Sequence, residues 1–142
     1  MVRVRLFGVT GPGEAPHRLL PSLVAGWRER LPIPLSDGMQ VRDVLHVDDV
    51  AAALLHVARA PALFGHAVNV GRGHGGSVRW MAEHAARRLD CEDLLRFGVL
   101  PRREGEPAEL VADASRLLAT GWSPARTLEQ TVDHTVDVLA GR

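Results

Sequence analysis

Pro34-Leu35-Ser36-Asp37-Gly38-Met39-Gln40-Val41-Arg42-Asp43-Val44-Leu45-His46-Val47-Asp48-Asp49-Val50-Ala51 is the stretch that frames the rest of the chain. The prolines at 32 and 34 impose an extended entry, and Ser36-Asp37-Gly38 has turn chemistry. Val41 to Val47 reads as a short strand, after which Asp48 or Asp49 is placed to cap a helix running through Ala51, Leu54, Leu55 and Val57 to Pro61. A strand feeding directly into a helix is the repeating step of an α/β layer.

The same alternation extends outward in both directions. Upstream, Val2, Val4 and Leu6 alternate with Arg3, Arg5 and Phe7, and the run stops at Gly8-Val9-Thr10-Gly11-Pro12-Gly13. Leu19, Leu20, Leu23, Val24 and Trp27 then recur at helical spacing, so a helix is expected from about residue 17 or 20, with Pro21 confined to its first turn or a kink. Downstream, Ala67 to Val70 reads as a brief strand and Gly71 to Gly76 as a loop. Ser77 caps a helix carrying Val78, Met81, Ala82, Ala85 and Leu89. Leu110 to Ala112 suggests one more strand and Asp113 a cap for a short helix ending at Gly121. Thr127 opens a last helix with Leu128, Val132, Val136 and Leu139 along one side. The fold class is α/β, or mixed α+β. Only two strands, 2–7 and 67–70, suit a sheet core, where a doubly wound sheet has five or more. The chain reads as part of a larger fold.

Composition narrows the chemistry. The 142 residues include 46% apolar and 24% charged residues, as in one soluble globular domain. A chain of this length buries roughly 70% of its unfolded surface, so a core forms without disulfides or metals. The single Cys91 points to a reducing compartment, and no run approaches the ~20 apolar residues of a membrane span, so a cytoplasmic location is expected. Its acidic neighbours Asp90 and Glu92 should raise the thiol pKa. Seventeen basic residues balance 17 acidic ones, and all the basic ones are arginine. Without a one-sided positive field, nucleic-acid binding is not expected. With no lysine and no tyrosine, a Schiff base, a phosphate-loop lysine and a Tyr/Lys dyad are all excluded on these residues.

Two local patterns invite a functional reading and lose it on context. Gly71-Arg72-Gly73-His74-Gly75-Gly76 fits G-x-G-x-x-G between a strand and a helix, the setting of a dinucleotide pyrophosphate site. The second strand and terminal acid that should follow about 20 residues later are replaced by Leu89-Asp90-Cys91-Glu92-Asp93. His46-x-Asp48 matches two ligands of a facial-triad iron site, but no third ligand is assigned, and helix capping with His46 at a strand edge is the simpler reading. The arginines are the better lead. Arg42, Arg102 and Arg103 stand in polar loops, where a planar guanidinium suits phosphate; solvation, or pairing with Asp43, Glu104 or Glu106, is the alternative.

Several ordered motifs then match a known family. Arg5-Leu6-Phe7-Gly8-Val9-Thr10-Gly11-Pro12-Gly13 resembles the R-x-F-N-x-Y-G-P-G strand and turn of extended short-chain dehydrogenase/reductases acting on nucleotide sugars, the NAD-dependent epimerase/dehydratase family. Residues 34–51 resemble P-L-x-x-G-x-G/Q-x-R-D-F-V-Y-V-D-D-V-A, and Val68-Asn69-Val70-Gly71 is similar to Y-N-V-G. Arg103 with Glu106, Ala112-Asp113 and Gly121-Trp122-Ser123-Pro124 resemble the closing R-x-G-E, A-D and G-W-x-P.

The resemblance is to the C-terminal half of such an enzyme, over residues 1–142 as a single domain: partial Rossmann-type sheet strands plus the small, mostly helical substrate-binding domain. It implies that the dinucleotide-binding half, with its glycine motif and Tyr-x-x-x-Lys, is missing from this chain. Carried over, Arg42 and Arg103 are implied to hold a nucleotide diphosphate, Pro34 and Leu35 to lie against the base, and Asn69 to mark a strand end near the interdomain cleft. Gly8 replaces the family's Asn and Thr10 its Tyr. No catalytic residue, cofactor site or metal site is implied here; NAD(P) would enter only with a Rossmann-half partner chain. The implied function is nucleoside diphosphate sugar binding without catalysis by this chain alone. The alternative is a repurposed fragment with a non-hydride activity, or a structural or regulatory homodimer completing its sheet through residues 2–7.

Overall fold

A computed structural model describes residues 1–142. Nine short strands and five helices follow in order. These are β1 (Arg3–Leu6), β2 (Gly8–Thr10), α1 (Leu19–Glu29), β3 (Ile33–Pro34), β4 (Val41–Arg42), β5 (Val44–His46), α2 (Val47–Ala58) and β6 (Ala67–Val70). β7 (Gly76–Ser77), α3 (Val78–Leu89), β8 (Leu95–Arg96), β9 (Glu109–Leu110), α4 (Ser115–Leu118) and α5 (Leu128–Ala140) complete the chain. The α/β expectation holds, with small pairings, all parallel except β4 with β7, in place of one broad sheet.

The pairings explain the breaks. β1 runs parallel to β6, with Arg3 opposite Ala67 and Leu6 opposite Val70, and β2 runs parallel to β5. β3 pairs with β8, and β4 lies between β7 and β9. The single strand expected over Val41–Val47 is therefore two, because the chain changes neighbours at Asp43. The amide of Gly8 donates to the Asp43 carbonyl at 2.9 Å, and a Cβ at residue 8 would stand 2.5 Å from that oxygen. A side chain at residue 8 would require this backbone to shift.

Two hydrophobic cores hold the layers. In the first, Leu20, Leu23 and Val24 of α1 meet Met81, Ala82, Ala85 and Leu89 of α3 and Val132 and Val136 of α5, with Ile33 and Leu35 beneath. Gly26, inside α1, is where Ile33 packs, and a Cβ there would collide with its side chain. In the second, Leu45, Val68 and Val70 of the strands meet Val50, Ala53 and Val57 of α2, with Leu117 and Trp122 closing the far side. Val2 and Val4 join this core, whereas Leu6, expected on the same face, is half exposed.

The helix starts follow capping chemistry with one correction. Ser77 accepts from the Trp80 amide, and Thr127 with Gln130 forms a reciprocal capping box. α2 begins earlier than expected, at Val47: its cap is His46, whose Nδ1 accepts from the Asp48 amide. Asp48 and Asp49 fall in the first turn, where their charge still suits the helix dipole. α4 has no side-chain cap at Ala114; the Asp113 carboxylate instead accepts from the Ser115 amide and hydroxyl, which holds it below its ordinary pKa. No helix is long and apolar enough to cross a membrane.

Candidate functional site

Strand β4 places Arg42 at the meeting of three segments. Val41 and Arg42 pair with Gly76 and Ser77 on one side and with Glu109 and Leu110 on the other. The half-buried Arg42 guanidinium gives Nη1 to the Val41 carbonyl at 2.7 Å and Nη2 to Glu106 Oε1 at 2.7 Å. The alternative reading of Arg42, pairing with Glu106, is thus realised. Two of its five donors are engaged.

The loop that carries Glu106 also carries Arg103. Its amide hydrogen bond, Glu106 to the Arg103 carbonyl at 3.1 Å, closes a tight turn. The Arg103 side chain is exposed and without a protein partner. The loop is held against residues 34–37: the Leu35 amide donates to the Arg96 carbonyl and the Leu100 amide to the Leu35 carbonyl. Arg102 reaches Asp37 at 2.8 Å, which keeps that exposed carboxylate below its ordinary pKa, helped by the Met39 amide. Arg79 lies 3.8 Å above the Phe97 ring and also reaches the Asp37 carbonyl. Arg79 and Arg102 thus meet at Asp37, Arg103 follows Arg102 on the same loop, and Pro34 is exposed at the start of the segment that carries Asp37.

The side chains of Leu35 and Asn69 are committed elsewhere. The Leu35 side chain belongs to the first core and both its backbone groups are bonded, so Pro34 is the member of the pair with a surface to offer. Asn69 is on β6, where its amide donates to the Asp113 carbonyl at 3.1 Å. It ties the strand to the approach of α4.

The sequence reading missed the role of Asp43, the neighbour of Arg42, which ties three segments together. Asp43, 1% exposed, accepts from the amides of Arg72 (2.8 and 2.9 Å), Gly73 (2.9 Å) and Ala112 (3.2 Å). Arg72 is itself buried and bonds the carbonyls of Arg126 and Val44 and the hydroxyl of Thr131; burial depresses its pKa. In the sequence Asp43 stands inside what reads as one strand, Val41–Val47, with an arginine as its only suggested partner; the amides that hold it come from residues 29 and more positions away.

The same bonds decide how Gly71–Gly76 relates to a dinucleotide. The amides of Arg72 and Gly73, those a pyrophosphate would need, already hold the Asp43 carboxylate. A Cβ on Gly75 would stand 2.7 Å from the Arg42 carbonyl, and Gly76 is spent pairing with Arg42. The residues of this chain do not fit NAD at that loop. Nor do three or more His, Cys, Asp or Glu side chains gather as a metal site, and His46 meets His134 rather than a third ligand. Cys91 is fully buried, and burial, ahead of its acidic neighbours, raises its thiol pKa.

An α/β scaffold of mostly parallel strand pairs, with Arg79 and Arg102 meeting at Asp37, is the class defined by these features. The chain belongs to the NAD dependent epimerase/dehydratase family, whose model matches residues 1–71. It is 35% identical over 137 residues to a UDP-glucose 4-epimerase of Yersinia pestis, covering 87% of this chain and 39% of the relative. It is 34% identical over 144 residues to a dTDP-glucose 4,6-dehydratase of Xanthomonas campestris, covering 89% of this chain and 39% of the relative. The UDP-glucose 4-epimerase of Thermus thermophilus, solved in complex with NAD, superposes with a TM-score of 0.83 at 27% identity, over 99% of this chain and 46% of that one. The UDP-glucuronic acid 4-epimerase of Bacillus cereus shares the fold at a TM-score of 0.86 and 23% identity, over 99% and 45%. The chain spans about two fifths of the length of the curated relatives it matches.

Proposed function

We propose that this chain is the nucleotide-sugar-binding portion of an NAD(P)-dependent epimerase or dehydratase. Arg42 is the anchor for the ligand's diphosphate, Arg103 closes on it from the exposed end of the loop, and Pro34 offers an apolar edge to the base. The observation that carries this reading is one loop that reaches both anchors: its Glu106 bonds Arg42, and its Arg102, next to Arg103, bonds Asp37 of the segment that starts at Pro34. Relatives named for UDP-glucose and dTDP-glucose give the same ligand class. Guanidinium groups suit a diphosphate because their planar donors match two oxygens at once.

Hydride chemistry lies outside residues 1–142 on this reading. The chain has no tyrosine or lysine to serve as acid and base, and Asp43 fills the one glycine loop that might have taken a dinucleotide. β1, paired only with β6, offers its other edge to the polypeptide that supplies NAD(P). The chain's own contribution is to bind and orient the nucleotide sugar.

Adding UDP-glucose or dTDP-glucose to the isotope-labelled chain tests this. Amide shift changes concentrated in 34–42 and 95–110 support it; changes centred on 71–76, or none with a well-dispersed spectrum, contradict it.

A further inference from the structure

His46 and His134 make no hydrogen bond with Arg42, Arg79, Arg102 or Arg103. His46 ends β5, caps α2 and is 1% exposed. Its Nδ1 stands 3.2 Å from two groups of opposite character: the Asp48 amide, which only donates, and Asp48 Oδ2, which only accepts. Its Nε2 stands 3.1 Å from Nδ1 of His134 on α5, with the rings edge to face at 4.7 Å between centroids. Two complete wirings fit this one geometry.

In the first, the Asp48 amide donates to His46 Nδ1, and His46 Nε2–H donates to His134 Nδ1. Both rings are neutral, with one proton each. In the second, His46 Nδ1–H donates to the Asp48 carboxylate, and His134 Nδ1–H donates to His46 Nε2. His46 is still neutral, and His134 carries two protons and the positive charge.

We propose that His46 and His134 form a one-proton switch between these wirings, with the bond from α5 to the β5–α2 junction kept and the N-cap of α2 released. The balance is one proton: the incoming one lodges on His46 Nδ1, while the one on Nε2 crosses to His134 Nδ1. No heavy atom has to leave its place.

The surroundings favour this division of charge. Burial resists a positive charge on His46 itself, whereas His134 is only partly buried. Asp48 and Asp49 of α2 attract a charge on the pair, and Arg126, from the loop before α5, opposes it. Asp137 and Asp133 share the groove with His134, Arg126 and Gln130, though Asp133 also meets His84 and Asp137 meets Arg88. From β2, Thr10 is the register partner of His46 and holds Glu14 at 2.6 Å. Acidification therefore loosens the first turn of α2 while α5 stays attached.

Nitrogen-15 titration of both imidazoles in the intact chain between pH 8 and pH 5 reads the wiring directly. The switch predicts that His46 Nδ1 passes from unprotonated to protonated and Nε2 the reverse, at the same midpoint at which His134 gains its proton. It predicts further that Asp48→Asn, with the amide spectrum showing a native fold, lowers that midpoint by about one pH unit. Unchanged His46 nitrogens while His134 titrates, two separate midpoints, or a midpoint indifferent to Asp48→Asn would overturn it.

Discussion

Arg42 Nη2 and Glu106 Oε1 are 2.7 Å apart, 64 residues distant in sequence, and both side chains are mostly shielded from water. A guanidinium held this way is pre-aimed, yet partly neutralised. An arriving diphosphate has to share Arg42 with Glu106 or displace it.

Replacing Arg42 with alanine should therefore weaken binding of a nucleoside diphosphate sugar at least tenfold, the ~1.5–3 kcal/mol of a charge-assisted hydrogen bond. Arg103→Ala should cost less, because an exposed side chain must first be ordered. Calorimetric titration of both variants measures the difference.

Glu106→Gln should act in the opposite direction. Removing the competing charge releases about 1 kcal/mol for the ligand and tightens binding about fivefold. If Glu106 serves mainly to hold Arg42 in position, the same titration will show weaker binding.

Asp43→Asn tests the scaffold. The amide would turn an NH2 toward the Arg72, Gly73 and Ala112 donors, and the lost bonds should cost about 2–4 kcal/mol in urea unfolding. In the first core, Leu23→Ala should cost about 2–5 kcal/mol with no change in binding, since it leaves a cavity among α1, α3 and α5.

Acid stability should fall in two steps. Burial holds His46 below its ordinary 6.5, so the unfolded chain takes up a proton that the folded ring refuses. Its contribution is whole above pH 6.5 and declines below it, at about 1.4 kcal/mol per pH unit while the difference is one proton. The carboxylates of Asp37, Asp113 and Asp137 are depressed by their hydrogen bonds from an ordinary 3.8, so their contribution is lost only below that value. Thermal melts between pH 8 and pH 3 separate the two windows.

Much of this was legible in the sequence, for local reasons. β1, β6 and the caps at Ser77 and Thr127 follow from alternation and side-chain chemistry that act within a few residues. The start of α2 was missed because a histidine cap leaves no distinctive pattern. The split at Asp43 was missed because it depends on strands far along the chain, β9 above all. Arg103 lies in a polar loop as expected, whereas Arg42, expected in a loop, is on β4 because its partners β7 and β9 lie far along the chain. The burial of Leu35 and the commitment of Asn69 to Asp113 were not legible, since each depends on a partner distant in sequence.

The most direct measurement is a calorimetric titration of the purified chain with UDP-glucose, dTDP-glucose and NAD+ in parallel. The account predicts saturable binding of at least one sugar nucleotide that depends on Arg42, and none of NAD+. Binding of NAD+ by the chain alone, or no binding of any nucleotide sugar by a chain that melts cooperatively, would contradict it.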